Sequence, residues 1–142
     1  MQVFIVGSPL ETARALDSKR LHKQIVECRQ ILDALNGAKA WSNHPCVLQY
    51  RGREEWLRAY KKCLEWYVRG DEDKALWASN LADYWSPMFH TQEYFDQMKR
   101  RLYTKDKEYY KQWAHLGESQ ENWYWSQEQG EWRKYVNGKR VE

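Results

Sequence analysis

ALDSKRLHKQIVECRQIL, residues 15–32, superimposes two stripes on one helix. At about 100° per residue, Leu21, Ile25, Cys28, Leu32 and Leu35 gather on an apolar face, while Arg20, Lys23, Gln24 and Glu27 gather on an adjacent polar one. A solvated helix face mixes Lys, Arg and Glu at the same spacings, because i,i+3 and i,i+4 ion pairs each stabilise a helix by a few tenths of a kcal/mol. Periodicity therefore assigns the helix and leaves its polar stripe open between an ordinary solvated face and a working one.

Outward from this stretch the chain reads as helices. Val3–Val6 is a short extended opening, and Gly7-Ser8-Pro9 turns into one helix from about Glu11 to Asn36, with Gly37 as its stop. In Asn43-His44-Pro45 the proline pushes His44 out of the α region and suits the first turn of a new short helix. Beyond Gly52, the spacing of Trp56, Leu57, Tyr60, Leu64 and Tyr67 predicts a helix from about Arg53 to Arg69, with Gly70 after its end. Asp71 to Asp73 offer an N-cap for a helix through about Tyr84, which Ser86-Pro87 ends. From Thr91 one or two further helices reach about Ala114, and past Gly117 the pattern decays into an irregular, aromatic-rich tail. No repeat, low-complexity tract or linker divides the chain, so the expectation is an all-α fold with residues 1–142 as one compact domain.

A chain of 142 residues can bury a core without metals or disulfides. Cys28, Cys46 and Cys63 are too widely spaced for a disulfide framework and include no CxxC pair, which predicts a reducing cytoplasm and no metal. MQVFIVGSPL has no basic leader and only a four-residue apolar run, too little for a signal peptide or a membrane span. The chain thus reads as soluble and cytoplasmic.

The net charge of +3 conceals segregation. Residues 14–29 hold five Lys/Arg against two acids, residues 51–69 six against three, and residues 99–111 six against two, which leaves the rest of the chain acidic. Three basic segments converging in the fold would make a face suited to a polyanion; pointing apart, they would not. Most of the nine Trp and ten Tyr should be core or half-buried, and Trp123, Tyr124, Trp125, Trp132 and Tyr135, crowded into the polar tail, are candidates for stacking on bases.

Four blocks in order carry a resemblance: LDSKRLHKQIVE (16–27), NHP (43–45), YRGREEWLRAYKKCLEWYVRG (50–70), and FH (89–90) followed by RRLYTKDKEYY (100–110). Together they resemble the pyrimidine-dimer DNA glycosylase family, which includes phage-type pyrimidine-dimer-specific endonucleases: small all-α glycosylases with an associated abasic-site lyase activity. The resemblance implies that Glu27 is the essential carboxylate beside the scissile glycosidic bond. Departure of a base leaves the sugar oxocarbenium-like, and a carboxylate held nearby stabilises that charge. It implies that Arg20 meets phosphate or the flipped nucleotide, with Lys19, Lys23 and Gln24 completing the surface and Gln24 suited to a base edge. His44 and His90 would line the site. Arg51, Arg53, Arg100 and Arg101 are candidate phosphate contacts.

The start of the chain departs from the pattern. Relatives with lyase activity attack the sugar with the α-amine of a small residue exposed by Met removal, whereas Gln2 is bulky and should leave Met1 in place. An α-amine, with a pKa of about 7.7–8.0, is a better nucleophile near neutrality than a lysine at about 10.4. Met1 is thus the expected amine, with two alternatives: a water activated by Glu27, or Lys23. The expectation from sequence is a monomeric, cofactor-free enzyme acting on double-stranded DNA, which excises a damaged or modified base. The alternatives are a non-catalytic nucleic-acid-binding module and a glycosidase acting on a free nucleoside or nucleotide.

Overall fold

A helix docks through an apolar face, and Glu54–Val68 (α4) presents one made of Trp56, Leu57, Ala59, Tyr60, Cys63 and Leu64, all buried. Our computed structural model describes residues 2–37 and 44–119, together with the backbone of 122–126, 131–136 and 139–141. In it α4 packs against the helices Pro9–Ala15 (α1), Ser18–Leu35 (α2) and Glu72–Tyr84 (α5). α5 comes close because its inner face is small: Ala75, Ala78, Ser79 and Ala82 are buried, and Ser79 Oγ accepts the Leu10 backbone N–H at 3.1 Å. A short helix Pro45–Gln49 (α3), a helix Gln92–Lys105 (α6) and a 3₁₀ turn at Lys111–Leu116 complete the helical body. Tyr50 stacks on Trp56 and Trp56 on Tyr60, with ring centroids 5.4 and 5.0 Å apart. That aromatic column joins the end of α3 to the centre of α4.

The all-α expectation holds for this body, and two details differ. The helix expected from Glu11 to Asn36 is broken: Leu16 and Asp17 are extended, and Asp17 caps α2 by accepting the Arg20 N–H at 3.3 Å. The break is held from far away in the chain. The Tyr110 hydroxyl donates to the Asp17 carboxylate and accepts the Asp17 N–H at 3.0 Å. The tail expected to be irregular contains three antiparallel strands, Asn122–Ser126 (β1), Glu131–Val136 (β2) and Lys139–Val141 (β3), in the order β1-β2-β3. Trp and Tyr, concentrated in NWYWS and EWRKYV, are strand-favouring residues. The side chains of Trp123, Tyr124, Trp125, Trp132 and Tyr135 lie outside the described residues, so the base-stacking expectation has no geometry here.

Val3–Val6 is extended and buried without joining a sheet. Side chains accept two of its buried amides: Phe4 N–H donates to Gln24 Oε1 and Val6 N–H to Thr12 Oγ1, each at 3.0 Å. Among the described residues, no helix is long and apolar enough to cross a membrane.

The packing of α5 on α4 makes a testable distinction. Ala78→Leu should lower stability by ~1–3 kcal/mol through overpacking, while Trp77→Ala, one residue away at 59% exposure, should change it by less than ~0.5 kcal/mol. Thermal denaturation of the two variants checks this, and equal losses would contradict the packing.

Candidate active site

The turns of α2 that the sequence marks as a polar stripe divide between the interior and the surface. Lys23 stays out in solvent, and Gln24 and Glu27 turn inward, with exposures of 1% and 6%. Glu27 is an acid in the wall of the core, so burial pushes its carboxyl above the ordinary carboxylate value. Opposing that push are the positive charge of the chain's amino terminus, a hydrogen bond donated by the Gln2 backbone N–H, and the charges of Lys23 and Lys105. Lys23 Nζ lies 4.0 Å from Glu27 Oε1 across one helical turn. Lys105, on α6, reaches over the Phe4 ring at 6.0 Å.

Gln24 connects these parts. Its Nε2 donates to Glu27 Oε2 at 2.8 Å and to the Gln2 carbonyl at 2.7 Å. Its Oε1 accepts from Phe4 N–H at 3.0 Å and from the Tyr60 hydroxyl at 2.9 Å. Both amide protons and both oxygen lone pairs are thereby engaged inside the protein. Gln24 therefore does not present its amide to a base edge, as the sequence suggested; it is shut in by Gln2, Phe4, Glu27 and Tyr60.

Residues 1–79 match the family described as pyrimidine dimer DNA glycosylase. The chain belongs to the pyrimidine dimer DNA glycosylase family. No curated protein and no solved structure matches it. The family carries DNA glycosylase activity and acts on DNA. The matched span of this pyrimidine dimer DNA glycosylase family member runs through α4 and most of α5, and so contains Gln24, Glu27 and Tyr60, while α6 with Lys105 lies beyond it.

The other residues expected at the site have varied surroundings. Lys19 is exposed on α2. Arg20 is partly buried: its Nη1 donates to Asp17 Oδ1 at 3.1 Å, and its guanidinium sits 5.9 Å from the centre of the Tyr110 ring. Arg51 is exposed, whereas Arg53 donates to the carbonyls of Gln49 and Arg51 at 3.1 and 3.3 Å and lies over the Phe89 ring. Arg100 Nε donates to the Leu116 carbonyl at 2.9 Å and so ties α6 to the 3₁₀ turn. Arg101, half-buried, acts on Tyr94 and Cys46. His44 caps α3, its Nδ1 accepting the Cys46 N–H at 3.1 Å.

His90 belongs to the aromatic core. Its ring stacks on Tyr94, its Nε2 meets the Tyr50 hydroxyl at 3.1 Å, and burial holds its pKa down at about 3, so the ring is neutral near pH 7. It lines a cleft of about 430 Å³ whose wall also holds Glu11, Trp56, Asp83, Gln92 and Lys99, and of which Glu27 is not part. Met1 lies outside the described residues. Among the described residues, no group of three or more His, Cys, Asp or Glu could hold a metal ion. Sequence reading missed Tyr60 and Lys105: Tyr60 looks like one more apolar-face aromatic of α4, and Lys105 is one cation among many.

The raised Glu27 predicts a stability signature. A carboxyl pushed above its unfolded value of about 4.5 contributes fully below that pH, and the contribution is lost as pH rises through the raised value. Glu27→Gln should therefore melt higher than wild type at pH 7, with the gain shrinking as pH falls through the raised value toward about 4.5 and levelling off below it. Melting curves across that range check it; a lower melting temperature for the variant at pH 7 would contradict a buried, destabilising charge.

Proposed function

We propose that this family member binds duplex DNA, extrudes a damaged or modified pyrimidine nucleotide and breaks its N-glycosidic bond at Glu27. The observation that carries the reading is a carboxylate of 6% exposure held between the amino-terminal backbone and the cations Lys23 and Lys105. A burial-raised carboxyl can exchange a proton nearer to neutrality than an exposed one. Once ionised, it stabilises positive charge developing at C1′.

In the step proposed, the bond between C1′ and the base nitrogen breaks, its electron pair leaves with the base, and the base takes up a proton. The new bond at C1′ forms to the α-amine of Met1, which loses a proton; opening of the sugar ring then gives the iminium from which elimination of the 3′ phosphate cuts the strand. Gln2 supports this choice of amine, because its backbone N–H bonds to Glu27 and the preceding residue is one peptide link away, about 3.8 Å between Cα atoms. Exposed Lys19 and Arg51 are suited to phosphate contacts that place the duplex. Extrusion costs least for a base already loosened by damage or modification, which favours lesions over normal pairs.

Single-turnover assays on duplexes carrying cyclobutane pyrimidine dimers and modified pyrimidines test the proposal. Glu27→Gln should slow base release by roughly 10²–10⁴-fold and leave DNA affinity equal or tighter. Unchanged release would contradict the role of Glu27. Borohydride reduction should trap a covalent adduct at Met1, and an adduct at Lys23 would contradict the assigned amine. Release from free nucleosides with no salt-dependent duplex binding would favour a nucleosidase instead.

A further inference from the structure

We propose that Gln24 is the positioning residue of this site: its buried carboxamide fixes the amino-terminal backbone and the Glu27 carboxylate relative to one another. The inference rests on the reading of Glu27 as the working carboxylate. Its footing is the pattern of bonds around one side chain, not its burial alone.

The orientation of the amide is determined. Phe4 N–H can only donate and the Gln2 carbonyl can only accept, so exchanging the amide oxygen and nitrogen would break both bonds at 3.0 and 2.7 Å. The correct orientation leaves the second Nε2 proton directed at Glu27 Oε2, 2.8 Å away. The pattern also explains the extended segment. Bonds to the carbonyl of Gln2 and the N–H of Phe4, on either side of Val3, are those that one residue of a parallel neighbouring strand would make through its own N–H and C=O. A side chain of α2 thus substitutes for a neighbouring strand and holds the start of the chain extended.

The bonds close a ring. Gln24 Nε2 donates to the Gln2 carbonyl and to Glu27, and the Gln2 N–H donates to the same carboxylate. The amino-terminal backbone and Glu27 therefore cannot separate without breaking hydrogen bonds of this ring. Tyr60, at 0% exposure on α4, pins the ring to the core through its hydroxyl on Gln24 Oε1. A glutamine that only filled space would need none of this convergence on a carboxylate; one that sets two reacting groups in register needs all of it.

Gln24→Met keeps the length and removes the hydrogen bonds; Tyr60→Phe removes one bond and leaves Gln24 and Glu27 in place. Single-turnover base release from a pyrimidine-dimer duplex at saturating DNA, measured from pH 5 to 8, is the readout. Gln24→Met should lose about tenfold or more in rate, with DNA affinity held within about threefold. Its acidic limb should move to higher pH, because Glu27 loses a donor that favours its ionised form. Tyr60→Phe should show a loss of about threefold and a limb moved the same way. Wild-type rate and an unmoved acidic limb in both variants overturn the inference; if Gln24→Met does not fold, Tyr60→Phe decides by the same two readings. A wild-type protein that releases no base from any lesion duplex overturns the proposed function and this role with it, whereas an active wild type with insensitive variants overturns this role alone.

Discussion

The carboxamide of Gln24 is the constraint on which the rest of the site depends. Four hydrogen bonds converge on it, from Gln2, Phe4, Glu27 and Tyr60, in a position with 1% exposure. Phe4 N–H and the Tyr60 hydroxyl would otherwise be buried polar groups without these bonds, a loss of about 1–3 kcal/mol apiece. One side chain therefore solves two problems. It lets an apolar segment, Val3–Val6, enter the core without a sheet to receive its amides, and it keeps an acid in the wall of the core next to that segment.

The cations are organised around this arrangement in two groups. Lys23 and Lys105 approach Glu27 from α2 and α6 and offset part of its burial. Arg20 and Arg100 instead brace the frame: Arg20 bonds Asp17 beside Tyr110, and Arg100 bonds the carbonyl of Leu116. The basic segments of the sequence thus have mixed duties, with part of their charge facing the carboxylate and part stitching distant elements together. Arginine suits bracing because its planar fork can bond a carboxylate or a carbonyl while its body stays in apolar contact.

Much of the helical body is legible in the sequence, because the apolar face of α4 repeats at helical spacing and Ser8, Asp71 and Thr91 stand at the starts of α1, α5 and α6. The break at Leu16–Asp17 is not legible, because its cause is the hydroxyl of Tyr110, 93 residues away. Glu27 was found through family resemblance, as helical spacing alone places it on the same stripe as exposed Lys23. The role of Gln24 escaped for a related reason: a glutamine among cations reads as surface, and only the fold shows that Gln2, Phe4 and Tyr60 surround it. The sequence offers His90 as a site-lining residue; its ring stacks on Tyr94 in the aromatic core and lines a cleft that does not include Glu27, which tertiary contacts alone show. The strands of the tail are not legible because their aromatic residues do not alternate with polar ones: NWYWS holds three in a row, and in EWRKYV Trp132 and Tyr135 stand three apart.

The most direct test of the account is amide hydrogen exchange at Phe4 in the wild-type protein. The extended segment around it belongs to no sheet, so its protection comes from Gln24 Oε1 and burial. The Phe4 amide should exchange as slowly as the core amides of α2 and α4, and Gln24→Met should release it while those core amides stay protected. Exchange of Phe4 in the wild-type protein at the rate of an exposed amide would contradict the claim that Gln24 holds the amino-terminal segment against Glu27.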